Sequence, residues 1–114
     1  MHELSICRSI LSQVEDIAKQ RDAHSVTVVH LQVGALSGVE ISLLQSSWGI
    51  ASADTIASSA ELDIEEMPII IQCDSCDRQS EATTSKLVCG HCGEWRTKLI
   101  SGDEMLLRSI ELER

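Results

Sequence analysis

Residues 4–20 place apolar side chains at Leu4, Cys7, Ile10, Leu11, Val14, Ile17 and Ala18, the spacing of one stripe along an α-helix. Glu15 and Lys19 fall one turn apart on the opposite face, in the favourable order for a helical ion pair. The next stretch, "SVTVVHLQVG" at 25–34, is dense in β-branched residues and closes on Gly34, which predicts a strand. Alternation puts Val29, Leu31 and Val33 on one face and Val28 and His30 on the other. A loop, "GALSGVE", follows with Gly34 and Gly38 as turn residues. Helical spacing resumes over 41–53 through Leu44, Trp48 and Ala51. "ELDIEEMP" alternates Leu62, Ile64 and Glu66 and is stopped by Pro68, a second strand. The closing "MLLRSIELE" predicts a third, with Leu106, Ile110 and Leu112 on one face. Arg108 interrupts that face, as expected of an edge or half-exposed strand. These elements predict an α+β fold in which two helices cover a small three-stranded sheet.

Between the last two strands the pattern breaks off. The segment "CDSCDRQSEATTSKLVCGHC" holds two CxxC pairs, Cys73 with Cys76 and Cys89 with Cys92, separated by 12 residues. A tight CxxC turn aims two thiolates at one ion, and two such turns supply the four tetrahedral ligands that zinc prefers. Gly93 suits the left-handed turn that ends such a knuckle. The spacer is mostly polar and offers no hydrophobic core, so metal binding has to supply folding energy, on the order of 10–16 kcal/mol for a structural site. Four ligands close the site, which makes it structural rather than catalytic. A zinc-ribbon subdomain inserted at 69–100 is therefore expected, with 1–68 and 101–114 forming the α+β domain. Disulfides fit a secreted framework better than a chain of this kind. A redox dithiol needs one CxxC at a helix start, and here two pairs flank a polar hairpin.

The other chemistry-bearing residues are less patterned. Cys7, the fifth cysteine, lies on the apolar stripe of the first helix and reads as buried filler. His91, inside the second knuckle, is placed to substitute for a thiolate or to titrate near neutrality, although such a residue usually points to solvent. His24 and His30 have no carboxylate or cysteine at ligand spacing and take no role from the sequence.

Charge restricts the partners. Eighteen acids against nine Lys and Arg leave a net charge of −9, spread along the chain. Nucleic-acid affinity rests on Lys and Arg displacing counterions, so DNA and RNA are poor partners for this surface. No apolar run approaches the roughly 18 residues of a membrane span. A basic region leading into an apolar stretch is also missing at the start, so a cytoplasmic protein is expected.

The opening "MHE" has two readings. Most chain termini are frayed and carry no chemistry, so the histidine can be an accident of the start site. Alternatively, a bulky second residue protects Met1 from removal, and the free amine, the His2 backbone nitrogen and the His2 imidazole close adjacent chelate rings around one ion. Ni(II) and Cu(II) favour such square-planar nitrogen and oxygen sites, whereas zinc is better served by the cysteines. The fourth position is open to a carboxylate or another backbone nitrogen: Glu3 is adjacent, and Glu40 reaches it if the loop before the second helix packs beside the N-terminus.

Taken together, "MHELSIC", "VGALSGVE", "LDIEEMP" ahead of the paired CxxC motifs, and "SIELE" near the end resemble the HypA/HybF family, nickel metallochaperones of hydrogenase maturation. The resemblance covers essentially the whole chain, and its specificity lies in the order of the motifs, since paired CxxC motifs occur in many zinc ribbons. It implies a nickel site in the α+β domain with His2 as principal ligand, Glu3 beside it and Glu40 as a further ligand. It also implies zinc at Cys73, Cys76, Cys89 and Cys92, a GTPase partner, and delivery to the large subunit of a nickel-iron hydrogenase; some relatives also serve urease. The second helix, "ISLLQSSWGIASADT", has fewer aromatic and acidic residues than the family pattern, and "ASSAE" replaces a segment that often holds glycine. Those departures bear on a partner-binding surface rather than on the metal sites. No nucleophile–base pair is evident, so the chain is not expected to be an enzyme, and either a monomer or a homodimer is compatible with the pattern.

Overall fold

A computed structural model describes residues 2–114 as two helices and six strands: α1 (His2–Gln20), β1 (Ser25–Gly34), α2 (Ile41–Ser52), β2 (Glu61–Met67), β3 (Ile69–Cys73), β4 (Gln79–Ala82), β5 (Thr97–Ser101) and β6 (Met105–Glu113). The strands form two three-stranded sheets, ordered β2-β1-β6 and β4-β3-β5. The chain divides into two compact units: the first runs to Leu31, resumes over Val39–Glu65 and ends with Leu106–Arg114, and the second comprises Gln32–Gly38 and Glu66–Met105. No helix among the described residues is long and apolar enough to cross a membrane.

In the first unit the helical stripe buries as its spacing predicts: Cys7, Ile10, Leu11, Val14 and Ala18 of α1 are buried, while Leu4 and Ile17 are half-buried at its margins. Leu44 and Trp48 are buried on α2, which packs against α1. A thiol–carbonyl contact from Cys7 Sγ to Leu44 O, 3.5 Å, joins the two helices. Two side chains tie α2 to the chain beyond it: Gln45 Nε2 donates to Leu62 O at 3.1 Å and Trp48 Nε1 to Ala60 O at 3.4 Å. Val29 and Leu31 are buried on β1 and Val28 and His30 only half so, the expected alternation.

β6 occupies an edge of its sheet, as the interruption by Arg108 suggests. Ile110 and Leu112 are half-buried, but Leu106 is 51% exposed, so the apolar face of β6 does not extend back to the start of the strand. Parity alone assigns a face, and whether anything covers that face depends on neighbours distant in sequence.

The second unit is wider than the 69–100 insertion, because Gln32–Gly38 and the flanks 66–68 and 101–105 pack with it. It also has a small core that the polar spacer does not announce: Ile69, Ile71 and Val33 are buried, as are Cys73 and Cys89. The run "IIIQC" is the central strand β3, paired antiparallel with β4 from Ile69–Ala82 to Gln72–Gln79. On its other side it pairs with β5, the register slipping between Ile70 and Ile71. Gly34 proves to be a strand residue rather than a turn residue. It is buried, and a Cβ there would collide with the Gly102 carbonyl, so the glycine permits two backbones to approach closely.

Candidate metal sites

The two CxxC turns are built alike. Cys73 N donates to Arg78 O at 3.0 Å, and Cys89 N donates to Glu94 O at 2.9 Å, each bond closing a loop of the same length. The residue after the second cysteine is left-handed in both, Asp77 with φ +61° and Gly93 with φ +78°. Glycine adopts that conformation freely and aspartate is among the few other residues that tolerate it, which explains why only the second turn was marked by a glycine. Backbone N–H groups then point at the first sulfur of each turn: Ser75 N to Cys73 Sγ and His91 N to Cys89 Sγ, both 3.3 Å, and Cys76 N to Cys73 Sγ at 3.4 Å.

All four sulfurs lie within 4.8 Å of one another. The contacts cross between the turns, Cys73 to Cys92 at 3.5 Å and Cys76 to Cys89 at 3.6 Å. Sulfurs about 2.3 Å from a tetrahedral zinc stand about 3.8 Å apart, so this spacing suits a zinc site made of four thiolates. The electrostatics agree. Amides of Cys92 and His91 draw the Cys89 thiol down to about 6, which favours its thiolate. At Cys92 the Glu94 amide pulls the same way, but the Cys73 sulfur, burial and the two remaining sulfurs push the thiol up to about 12. Cys76 is likewise raised: the lowering by the Arg78 amide is overcome by burial and by the Cys73 and Cys89 sulfurs. Four negative sulfurs cannot crowd together without a cation, and a bound dication removes that penalty. His91 is exposed and its Nε2–H donates to Gln79 O at 3.3 Å, outside the sulfur cluster.

Cys7 belongs to different chemistry. Burial, helped by the charge of Glu3, pushes its thiol up to about 11, so it stays neutral in the core.

His2 opens α1 and is exposed; Glu3 follows it, half-buried. Glu40 holds the N-cap position of α2, and its amide donates to the Glu3 carboxylate at 3.4 Å. The Glu40 carboxylate in turn accepts from Ser42 Oγ at 3.2 Å. The N-terminal amine of Met1 lies outside the described residues. Among the described residues, the four cysteines are the only set of three or more histidine, cysteine or acidic side chains gathered closely enough for one ion.

A site that sequence reasoning passed over lies on the first unit's sheet. His30 of β1 meets Asp63 of β2 through Nδ1 at 2.8 Å and Glu111 of β6 through Nε2 at 2.6 Å. Residues 33 and 81 positions away form no local motif, and only the strand order β2-β1-β6 brings them to one histidine.

Known proteins resemble the chain over its whole length. The family described as "Hydrogenase/urease nickel incorporation, metallochaperone, hypA" matches residues 1–112. The hydrogenase maturation factor HypA of Nitrosospira multiformis is 41% identical over 112 residues, covering 98% of this chain and 97% of its own. That of Aquifex aeolicus is 42% identical over 113 residues, covering 99% and 98%. Among solved structures, the solution structure of the nickel metallochaperone HypA from Helicobacter pylori superposes with a TM-score of 0.68 at 26% identity over 97% of both chains. A second HypA solution structure gives 0.73 at 27% identity, covering 98% and 96%. The chain, with its paired cysteine knuckles and its match from residue 1 to 112, belongs to the HypA family of nickel-incorporation metallochaperones.

Proposed function

We propose that the chain carries Ni(II) as cargo at the start of α1 and hands it on during maturation of a nickel-iron hydrogenase, while zinc on the four cysteines is structural. The observation that carries this reading is the pairing of His2 and Glu3 at the opening of α1 with the approach of Glu40 to Glu3. The first N–H groups of a helix have no intrahelical acceptor, so the His2 amide is available for deprotonation and metal binding. With the His2 imidazole and the terminal amine it provides three nitrogens for a square-planar ion, and the Glu3 carboxylate is the nearest oxygen for the fourth position. Glu40 acts mainly by steadying Glu3 through its amide, and as a direct ligand only after releasing Ser42.

In this reading the nickel-binding α+β part and the zinc ribbon have separate duties. A site at the exposed His2 lets a recipient's ligands compete for the ion. A closed four-cysteine site leaves no open position for substrate, and the protein acts without catalysis. The partners proposed from the family resemblance are a GTPase of the maturation pathway and the hydrogenase large subunit, met in the cytoplasm; the family's description also names urease nickel incorporation, which adds urease accessory proteins to the proposal.

Nickel titration of tag-free, zinc-loaded protein tests this, followed by native mass spectrometry and by absorption of square-planar Ni(II). One nickel per chain is expected, lost in His2→Ala with zinc retained. Equal binding by both proteins overturns the nickel site and leaves a zinc-ribbon adaptor.

A further inference from the structure

We propose that His30 is a protonated clamp that fastens both edge strands of the first unit's sheet to its central strand, making that unit's stability depend on pH. The geometry requires the charged ring. Ionised carboxylates accept hydrogen bonds and cannot donate them, while a neutral imidazole carries one N–H. Both ring nitrogens of His30 nevertheless face carboxylate oxygens, Nδ1 at 2.8 Å from Asp63 Oδ2 and Nε2 at 2.6 Å from Glu111 Oε2. Both contacts are satisfied only when each nitrogen carries a hydrogen. A single metal ion does not explain the arrangement, because the two carboxylates sit at opposite ends of the ring rather than converging on one point.

The surroundings make loss of that proton costly. The ring projects from the face of β1 opposite the buried Val29 and Leu31. The outward positions of β2 add Glu61 and Glu65 to Asp63, and those of β6 add Glu113 to Glu111; all five acids are exposed. A hollow of about 300 Å³ beside the ring is lined by Leu31, Asp63, Glu65, Arg108 and Ser109. Arg108 is the cation in that lining, and His24, just before β1, is the other titratable base near this face. Without its charge, His30 satisfies one of its two partners and leaves a cluster of like charges facing one another.

The sign follows from linkage. The hydrogen bond to Glu111 first, then that to Asp63, raises the His30 pKa above the ordinary histidine value; burial opposes them, and the charges of the two acids add to the rise. A group whose pKa is higher in the folded state contributes stability that is full below the unfolded value of about 6.5. It is lost as pH rises through the folded value. Release of the proton therefore loosens the hold of β1 on β2 and β6.

The test uses full-length, zinc-loaded protein. The His30 ring is titrated by NMR in the wild type, Asp63→Asn and Glu111→Gln, and urea unfolding midpoints of the wild type and His30→Gln are compared from pH 5.5 to 9. The expected results are a His30 titration above 6.5 that moves down in both carboxylate variants, and a midpoint advantage of the wild type that shrinks as pH rises. A wild-type ring titrating at the ordinary value, or a midpoint difference that does not change with pH, overturns the proposal. The wild-type titration decides even if a variant fails to fold.

Discussion

At the scale of single residues, identical side chains meet opposite requirements. Gly34 and Gly49 are both glycines in regular structure, yet a Cβ on Gly34 would collide with the Gly102 backbone, while one on Gly49 meets nothing within 4 Å. Gly34→Ala should destabilise by about 3 kcal/mol, because backbone cannot move aside as a side chain can. Gly49→Ala, inside α2, should stabilise by about 0.5–1 kcal/mol through a smaller loss of chain entropy on folding. Urea unfolding of the two variants would check both signs. The cysteines divide similarly. With its thiol raised to about 11 and its side chain fully buried, Cys7 should resist iodoacetamide at pH 8 even after chelation of zinc. Mass spectrometry should then count four labels rather than five, none of them on Cys7.

At the scale of elements, the two knuckles carry the second unit. Its apolar core rests on few side chains, chiefly Ile69, Ile71 and Val33, so a metal on the four cysteines would supply much of what holds β3 against β4 and β5. Cys89→Ser removes one of the four converging sulfurs and should abolish zinc retention, measured as metal per chain after purification. Asp77→Gly, by contrast, keeps the left-handed turn and should leave zinc binding intact. The α1–α2 pair needs no such staple, since its stripe buries five residues of α1 alone.

At the scale of the whole molecule, each unit contains one tryptophan, which allows its response to be followed separately. Trp48 is buried in the first unit at 4% exposure, and Trp95 is 73% exposed in the second. Zinc removal should preserve helical circular dichroism and the emission of Trp48, read in a Trp95→Phe background, while the amide signals of 69–101 collapse in NMR spectra. Unfolding of both units together on chelation would show that the α+β unit depends on the ribbon. The −9 charge adds that no complex with DNA should form even at low salt.

By itself, the sequence determined both helices, the strands β1, β2 and β6, and the four cysteines that gather in one cluster. The α1 stripe, the alternation in β1 and the four cysteine positions are local patterns, and local geometry turns each directly into structure: a buried helix face, a buried strand face, two knuckles. Asp77 in place of a second glycine, and "IIIQC" as a central strand, were hidden because aspartate also suits solvent and a short apolar run has no period of its own. Only the tertiary structure decided what depends on strand order and close approach: the covering of Ile110 but not Leu106, the backbone contact that excludes a side chain at Gly34, the Glu40 amide on Glu3, and the two acids on His30. These link residues that lie from 33 to 81 positions apart or are set by packing at a distance, and no periodicity within a single element encodes such a meeting.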